Sequence, residues 1–204
     1  MKRMIGCLLC LVLLLSVAGC KRQEVTTEDL LGTTTETAYQ NDFFGVRFSL
    51  PEGWVFFGEE ELKELSGMTS EAMANEDVKA ALDTGAVRVA MHSMNASGLQ
   101  SVNVNVSAQK NLSNAMIDHY MEETLQQTIP VMEQSGFTVT DGAIEEHEIM
   151  GKTVKVMVMH MEYLDTPYHT AAIFLVNDGY LATVTAASFH DDETIALLKR
   201  LERI

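Results

Sequence analysis

The C-terminal third of the chain is a run of predicted strands joined by tight turns. Thr153 to Tyr163 predicts one strand, Thr170 to Val176 a second and Tyr180 to Ser188 a third. Turns are predicted at Asp165-Thr166-Pro167 and at Asn177-Asp178-Gly179. We therefore expect an antiparallel β-meander. Because the middle strand is almost entirely apolar, both faces of its sheet must be covered, and the chain must fold into layers.

Two strands, a helix and another strand precede this meander. Ala86 to Met94 and Leu99 to Gln109 predict the two strands. In the second, valines alternate with Asn and Ser, which predicts one buried face and one polar face that is solvated or, as the alternative, binds a ligand. The residues from Ser113 to Gly136 have helical spacing, with Ser113 as the cap, and Pro130 is expected to kink this helix or end its regular part. Phe137 to His147 predicts the next strand.

The predicted domain begins with aromatic residues and ends with a helix. Phe43 to Phe57 alternates around Pro51-Glu52-Gly53 and predicts a hairpin. Glu59 to Asp83 is helical in type. After the meander, Ser188 and Asp191 have the spacing of a capping box, which predicts the start of a closing helix.

Two stretches resemble the PsbP-like superfamily, whose members include the extrinsic photosystem protein PsbP and many small bacterial lipoproteins. Phe44 to Trp54, which reads Phe-Gly-Val-Arg-Phe-Ser-Leu-Pro-Glu-Gly-Trp, is similar to the start of such domains. Asn177-Asp178-Gly179, followed by Tyr180 and a last strand and helix, is similar to their end. The resemblance implies a fold of the α+β class: an α/β/α sandwich with a central antiparallel sheet, a C-terminal β-meander and a closing helix. It also implies a binding or assembly module rather than an enzyme.

The first twenty residues have the pattern of a bacterial lipoprotein signal. Lys2 and Arg3 precede an apolar run from Ile5 to Leu15, and Ser16-Val17-Ala18-Gly19-Cys20 resembles a lipobox. The run is shorter than the roughly 20 residues of a membrane span, which disfavours a permanent transmembrane helix. An ordinary secretory signal cleaved after Gly19 is the other alternative. We expect residues 1–19 to be removed and Cys20 to carry the lipid, which anchors the protein at the extracytoplasmic face of a cell membrane.

Residues 20–42 are predicted to be a flexible tether, since they are rich in Thr, Glu and Gln and contain only Leu30-Leu31 as an apolar pair. Residues 43–204 then form a single domain, which is a common size for one hydrophobic core. Cys7 and Cys10 leave with the signal, so the mature chain keeps no thiol besides Cys20 for a disulfide or a metal.

The chain is strongly acidic, with 14 Lys and Arg residues against 29 Asp and Glu residues and a formal charge of −15. Nucleic-acid binding is disfavoured, because it requires a basic surface. Anionic headgroups would repel the domain, so we expect it to stand off the bilayer on its tether. Solubility explains the charge, and a protein partner or a cationic ligand is the alternative.

Two segments offer metal ligands, and each has a plainer explanation. In the strand around His160, the side chains of Met157, Met159 and Met161 share one face, while Glu162 lies beside His160 on the other. Exposed thioethers would select copper in its lower oxidation state, whereas buried ones would simply fill the core. The second segment, residues 145–148, reads Glu-Glu-His-Glu and offers hard ligands for calcium or zinc, or else a charged strand end.

No enzyme motif is present, and we expect no catalytic activity and no cofactor. The six histidines form no short metal-binding pair, and the chain lacks a nucleophile elbow, a Walker loop and a Rossmann glycine pattern. Ser188, His190 and Asp191 include the residue types of a triad but are too close in sequence for relay geometry. A hydrolase with a His and Glu site assembled in space is the remaining enzyme alternative. Two histidines and a carboxylate lining one pocket would distinguish it.

Overall fold

The computed structural model describes residues 25–64 and 86–204. The described elements are, in chain order, α1 (Thr27–Leu31), β1 (Thr33–Thr34), β2 (Ala38–Asn41), β3 (Val46–Ser49), β4 (Trp54–Phe56), β5 (Val87–Asn95), β6 (Gln100–Ala108), α2 (Ile117–Gln134), β7 (Thr138–Ile149), β8 (Lys152–Tyr163), β9 (Thr166–Asn177), β10 (Tyr180–Phe189), α3 (Thr194–Leu198) and β11 (Leu201–Arg203). A short 3₁₀ turn, Asn114–Met116, leads into α2.

The centre of the molecule is a seven-stranded antiparallel sheet in the order β4-β5-β6-β10-β9-β8-β7. Strands β7 to β10 follow each other along the chain and form the predicted meander, with β6 paired to its last strand. The α+β class with a central antiparallel sheet is therefore confirmed.

Two-residue turns with positive φ connect the strands of the meander. The φ angles are 55° and 71° at Met150-Gly151, 48° and 60° at Leu164-Asp165, and 41° and 81° at Asp178-Gly179. Positive φ at both central residues gives these turns the twist that antiparallel neighbours require. The middle turn is at Leu164-Asp165 and starts one residue before its predicted position. Strand β9 follows it directly and starts at Thr166 instead of the predicted Thr170.

Helix α2 covers one face of the sheet at the meander. The side chains of Met157, Met159 and Met161 are buried beneath it, together with Met121 and Met132 of the helix itself. Methionine suits this boundary because its unbranched thioether fills irregular space between a helix and a twisted sheet. The helix runs through Pro130 to Gln134, so the proline does not end it, and its predicted cap Ser113 makes no side-chain capping hydrogen bond.

The opposite face of the large sheet is covered by a second sheet and by α1 and α3. The second sheet has the order β1-β2-β3-β11. Tyr39 of β2, Phe48 of β3, and Leu198 of α3 are buried against the valines and alanines of the central strands. The closing helix is only five residues long and is followed by strand β11, which the sequence analysis did not predict.

The polar face predicted to be solvated on β6 is buried instead. Asn103 and Asn105 are 0% and 4% exposed. The Asn105 amide donates to Asn103 Oδ1 at 2.8 Å, and the Asn103 amide donates to the Thr185 carbonyl at 3.4 Å. The prediction was wrong: β6 lies between β5 and β10, and its polar side chains lie beside those of His92 and Thr185 on these two strands. Its amides meet neighbouring polar groups in the interior in place of water.

The predicted hairpin from Phe43 to Phe57 is also wrong, because its two strands belong to different sheets. Strand β3 pairs with β2 and β11, whereas β4 pairs with β5 of the central sheet. The turn at Pro51-Glu52-Gly53 therefore passes the chain from one layer to the other. One partner of β3, the strand β2, lies in the stretch that was predicted to be a flexible tether, and the other, β11, is remote in sequence.

Ordered structure begins well before residue 43, so the prediction of a flexible tether over residues 20–42 was wrong for its second half. Tyr39 and Asn41 are 1% and 0% exposed. Asn41 donates to the Leu30 carbonyl at 2.9 Å and to the Tyr39 hydroxyl at 3.0 Å, and its Oδ1 accepts from the Phe44 amide. This buried amide compensates for the scarcity of apolar residues that suggested disorder.

Several predictions fall outside the described residues. The lipobox and Cys20 lie within residues 1–24, and the predicted helical pattern from Glu59 to Asp83 is described only at residues 59–64, which are helical. Among the described helices, none is long and apolar enough to cross a membrane.

The burial of His92, on β5 beside Asn103, can be tested through the pH dependence of stability. It is 2% exposed, its ring lies 4.5 Å from that of Phe57, and neither ring nitrogen has a hydrogen-bond partner in the described part of the chain. Burial lowers the pKa of His92 from 6.5 to about 4. Because the unfolded chain then binds the proton more readily, the free energy of unfolding should fall by about 3 kcal/mol as the pH is lowered from 7 to 4.

Urea unfolding of the wild type and His92→Leu at both pH values measures this loss. The variant should lose about 3 kcal/mol less than the wild type over the same range, while His119→Leu, at an exposed position, should behave as the wild type. Equal losses in the wild type and His92→Leu would show that His92 is not the group responsible.

Candidate functional site

Two histidines face each other across the β8–β9 hairpin. His160 on β8 is the register partner of His169 on β9. Their Nδ1 atoms lie 2.7 Å apart, and the ring centroids are 5.0 Å apart. Directly opposed residues of an antiparallel pair have neighbouring side chains on the same face of the sheet. The turn at Leu164-Asp165 therefore sets this contact, because it defines which residues of the two strands are opposed.

A carboxylate approaches the pair from the loop between β10 and α3. Asp192 Oδ1 accepts hydrogen bonds from the Thr194 amide at 3.0 Å and the Thr194 hydroxyl at 2.6 Å. These two bonds orient the carboxylate and leave Oδ2 directed towards His160, whose Nδ1 is 3.9 Å away. The cap at the start of α3 is thus made by Asp192. The predicted capping box at Ser188 is not formed, since its hydroxyl donates to the Asp191 carbonyl.

The backbone at His190 sets the tautomer of His169. His169 Nε2 lies 3.1 Å from the His190 carbonyl oxygen, which can only accept. His169 therefore carries its proton on Nε2, and the lone pair of Nδ1 points at His160. Metal-binding imidazoles commonly donate their other ring N–H to a backbone carbonyl in this way, which fixes the ring orientation and the tautomer.

The cluster is accessible to solvent and carries a negative charge at Asp192. About one third of each side chain is exposed for His160 and for Asp192. Burial alone would raise the pKa of the Asp192 carboxyl, but hydrogen bonds from Thr194 and the charges of His169 and His160 hold it below its usual value. The carboxylate is therefore ionised at neutral pH and available as a ligand.

The three donor atoms fit a transition-metal ion with small side-chain movements. His160, His169 and Asp192 each offer one atom, and all three atoms lie within 4.8 Å of one another. In a tetrahedral zinc site, bonds of about 2.0–2.1 Å place neighbouring ligands roughly 3.3 Å apart. The two Nδ1 atoms would separate from 2.7 Å, and Asp192 Oδ2 would approach from 3.9 Å. Within residues 25–64 and 86–204, this is the one group of three such ligands.

The sequence identified one member of this cluster, His160, for a different reason. Its proposed companions Met157, Met159 and Met161 are at most 2% exposed and lie under α2 on the other face of the sheet. They therefore present no thioether to solvent. Glu162 is exposed and lies opposite Pro167 across the hairpin.

The acidic segment at residues 145–148 forms only a pair. His147 Nε2 lies 2.8 Å from Glu145 Oε2, and Glu148 interacts with Thr153. Glu146 is opposite Lys155 in the β7–β8 register. In the described residues, no third ligand joins this pair within metal-binding range.

The sequence analysis did not identify His169 or Asp192 as candidate ligands, for two different reasons. His169 lay outside the predicted strand, because the turn was placed one residue too late. A two-residue turn at 164–165 would have opposed residues 160 and 169 directly. Nothing in the sequence indicates Asp192 as a ligand, since the loop that carries it reaches the hairpin only through the packing of β10 beside β9.

Comparison with solved structures finds several similar chains, and two of them are PsbP and LpqN. No family model and no curated protein matches the chain. The solution structure of PsbP (CyanoP) from Synechocystis sp. PCC 6803 has a TM-score of 0.48 and 12% identity, covering 85% of this chain and 96% of that one. The crystal structure of LpqN, involved in cell envelope biogenesis of Mycobacterium tuberculosis, has a TM-score of 0.39 and 10% identity, with 76% of both chains covered.

Replacing Thr194 tests how Asp192 is held. Thr194→Val keeps the shape of this buried side chain and removes the hydroxyl that donates to Asp192 Oδ1. We expect the free energy of unfolding to fall by about 1 kcal/mol and the pKa of Asp192 to rise, because one bond that stabilises the carboxylate is lost. Carbon-detected NMR titration of Asp192 measures the second effect. An unchanged titration would show that the hydroxyl does not hold this carboxylate.

Proposed function

We propose that this protein is an extracytoplasmic lipoprotein, anchored through Cys20, whose domain binds a divalent transition-metal ion without catalysing a reaction. The convergence of His160, His169 and Asp192 at one end of the central sheet carries this proposal. The sequence left two kinds of metal site open. The two histidines and the aspartate favour a divalent-cation site over a site for monovalent copper. The acidity of the chain, with a formal charge of −15, is compatible with a cationic ligand.

The donor set selects the class of metal. Two imidazole nitrogens and one carboxylate oxygen suit Zn²⁺, Ni²⁺ or Cu²⁺, whereas Mg²⁺ and Ca²⁺ prefer oxygen ligands alone. Monovalent copper prefers thiolates and thioethers, and the methionines nearest in sequence, Met159 and Met161, are buried away from the cluster. We therefore take Zn²⁺ as the reference ion.

The hydrogen bonds around the cluster support a metal-binding role over a purely structural one. His169 donates from Nε2, so its Nδ1 is ready to bind without a change of tautomer. His160 must give up the proton that it shares with His169. Because both imidazoles must be unprotonated to bind a metal, the proposal predicts that affinity decreases in acid.

The cluster lies on the hairpin and loop at one end of β10, and a cleft of about 260 Å³ lies at the other end, beside Tyr180 and Ser107. A hydrolase would need a substrate pocket next to the metal, and the experiments with Zn²⁺ distinguish it from a binding protein.

Thermal unfolding with Zn²⁺ tests the metal site. At a Zn²⁺ concentration about 100-fold above Kd, binding contributes about 2.7 kcal/mol, which raises the Tm of a chain of this size by roughly 5–10 °C. We expect the increase to disappear in His160→Ala, His169→Ala and Asp192→Asn. His119→Ala is the matched control, since His119 forms a surface pair with Glu123 at 3.3 Å outside the cluster.

Isothermal titration calorimetry of the same proteins, repeated at acid pH, gives the stoichiometry. One ion per chain at neutral pH and weaker binding in acid are expected. Retention of the full Tm increase in all three cluster variants would contradict the site. Zn²⁺-dependent ester hydrolysis that the cluster variants lose would instead support the hydrolase alternative.

Replacing Cys20 tests the anchor. Because Cys20 precedes the first described helix, α1 (Thr27–Leu31), Cys20→Ala should release a folded domain from the membrane fraction. Cell fractionation measures the release, and a cooperative thermal unfolding transition shows that the released protein is folded. A variant that remains with the membrane, or one that unfolds, would contradict the proposed anchor.

A further inference from the structure

A cleft opens between α1 and one end of the central sheet. It has a volume of about 260 Å³ and is bounded by α1 on one side and by the ends of β5, β6 and β10 on the other. Most of its walls are apolar, with one cation. The side chains that matter here are Val25, Leu30, Leu31, Val106, Tyr180 and Arg88.

The wall formed by α1 is held firmly in place. A capping box at its start joins Thr26 and Asp29 through reciprocal hydrogen bonds. At its end, the Leu30 carbonyl accepts from the buried Asn41 amide at 2.9 Å. Gly32 then passes so close to β2 that a Cβ there would lie 2.5 Å from the Gln40 carbonyl oxygen. The helix therefore cannot shift without disturbing the second sheet.

Cys20 is near enough to reach this cleft. Val25 lines the cleft and directly precedes the capping box. Five peptide steps separate it from Cys20, and they span at most about 18 Å when extended. The lipid attached to Cys20 would therefore lie within one acyl-chain length of the walls.

We propose that the cleft holds one acyl chain of the lipid on Cys20, an inference that rests on the proposed lipidation. The valine and leucine side chains provide an apolar wall for methylene groups. The exposed guanidinium of Arg88 can donate hydrogen bonds to the ester carbonyls of the glyceryl group. A volume of about 260 Å³ is below the roughly 300–1,000 Å³ of small-molecule sites and accommodates part of one acyl chain. The other chains stay in the bilayer and keep the anchor.

This occupancy would orient the domain on the membrane. The cleft lies at the Tyr180 end of β10, and the loop with Asp192 follows Phe189 at its other end. Nine residue steps of about 3.4 Å place these ends roughly 30 Å apart. The metal cluster would then face away from the bilayer. The domain would rest close to the membrane surface instead of standing off on a long tether.

Site-specific photocrosslinking of the full-length lipidated protein tests the proposal. A diazirine analogue of leucine replaces Leu31 in the cleft or, as the matched control, Leu99, which is 41% exposed at the opposite end of β6. Proteins purified from membranes are placed in phosphatidylethanolamine and phosphatidylglycerol vesicles and irradiated. Peptide mass spectrometry first establishes the modification of Cys20 and then identifies the adducts.

We expect an adduct between position 31 and the lipid of Cys20, and none from position 99. Ala108→Trp, which places an indole at the cleft wall, should abolish this adduct while leaving the Zn²⁺-dependent increase in Tm unchanged. An adduct with vesicle phospholipid alone would overturn the proposal in favour of a bilayer lipid, and the absence of any lipid adduct would also overturn it. An unmodified Cys20 would overturn the anchor as well, whereas modified Cys20 without the adduct overturns the cleft assignment alone.

Discussion

The register of the β8–β9 hairpin is the constraint on which the candidate site depends. The two residues at Leu164-Asp165 both have positive φ, and the strands leave this turn with His160 opposite His169. Because side chains alternate with a period of two, a shift of one residue would move one histidine to the face that α2 covers. The same register places Met157, Met159 and Met161 under the helix. A single turn thus separates an apolar layer from a polar cluster made by the same strand.

The buried polar groups of β5, β6 and β10 have a related role. Asn103 and Asn105 form a short ladder of hydrogen bonds inside the sheet, and His92 lies beside them. A slipped register would leave these amides against apolar neighbours, which costs more than the loss of packing alone. Polar residues in the middle of a sheet therefore favour one register of strand pairing over slipped registers. Because burial lowers the pKa of His92, we also expect the free energy of unfolding to fall in acid.

Strand β10 connects the two ends of the molecule that we assign to different roles. Its first residue, Tyr180, borders the cleft beside α1, and its last, Phe189, leads to the loop that carries Asp192. Since the strand is central in the sheet and buried along nearly all its length, the distance between these ends is set by the fold. A lipid held at one end and a metal ion held at the other would be separated by rigid structure, and neither would need the other to bind.

Much of this architecture follows from the sequence, and the site largely does not. The meander from β8 to β10, the strands β5 and β6, and helix α2 have local signals: alternation, helical spacing and turn residues. Their existence could be predicted because each signal lies within the element itself. The pairing of β3 with β11 could not be predicted, because it joins segments that are far apart in the chain. The pairing of β3 with its neighbour β2 was missed because the polar composition of residues 20–42 indicated a tether.

The candidate site shows the same division at the level of single residues. The residues of the β8–β9 hairpin contain the information that opposes His160 and His169, since two-residue turn geometry alone defines their pairing. The sequence by itself therefore determined the meander and the opposition of the two histidines. Only the tertiary structure decided that Asp192 joins the pair, that the methionines are buried and that residues 38–41 belong to a sheet. These three features depend on which surfaces pack together, and that packing involves residues from distant parts of the chain, so no local sequence pattern predicts it.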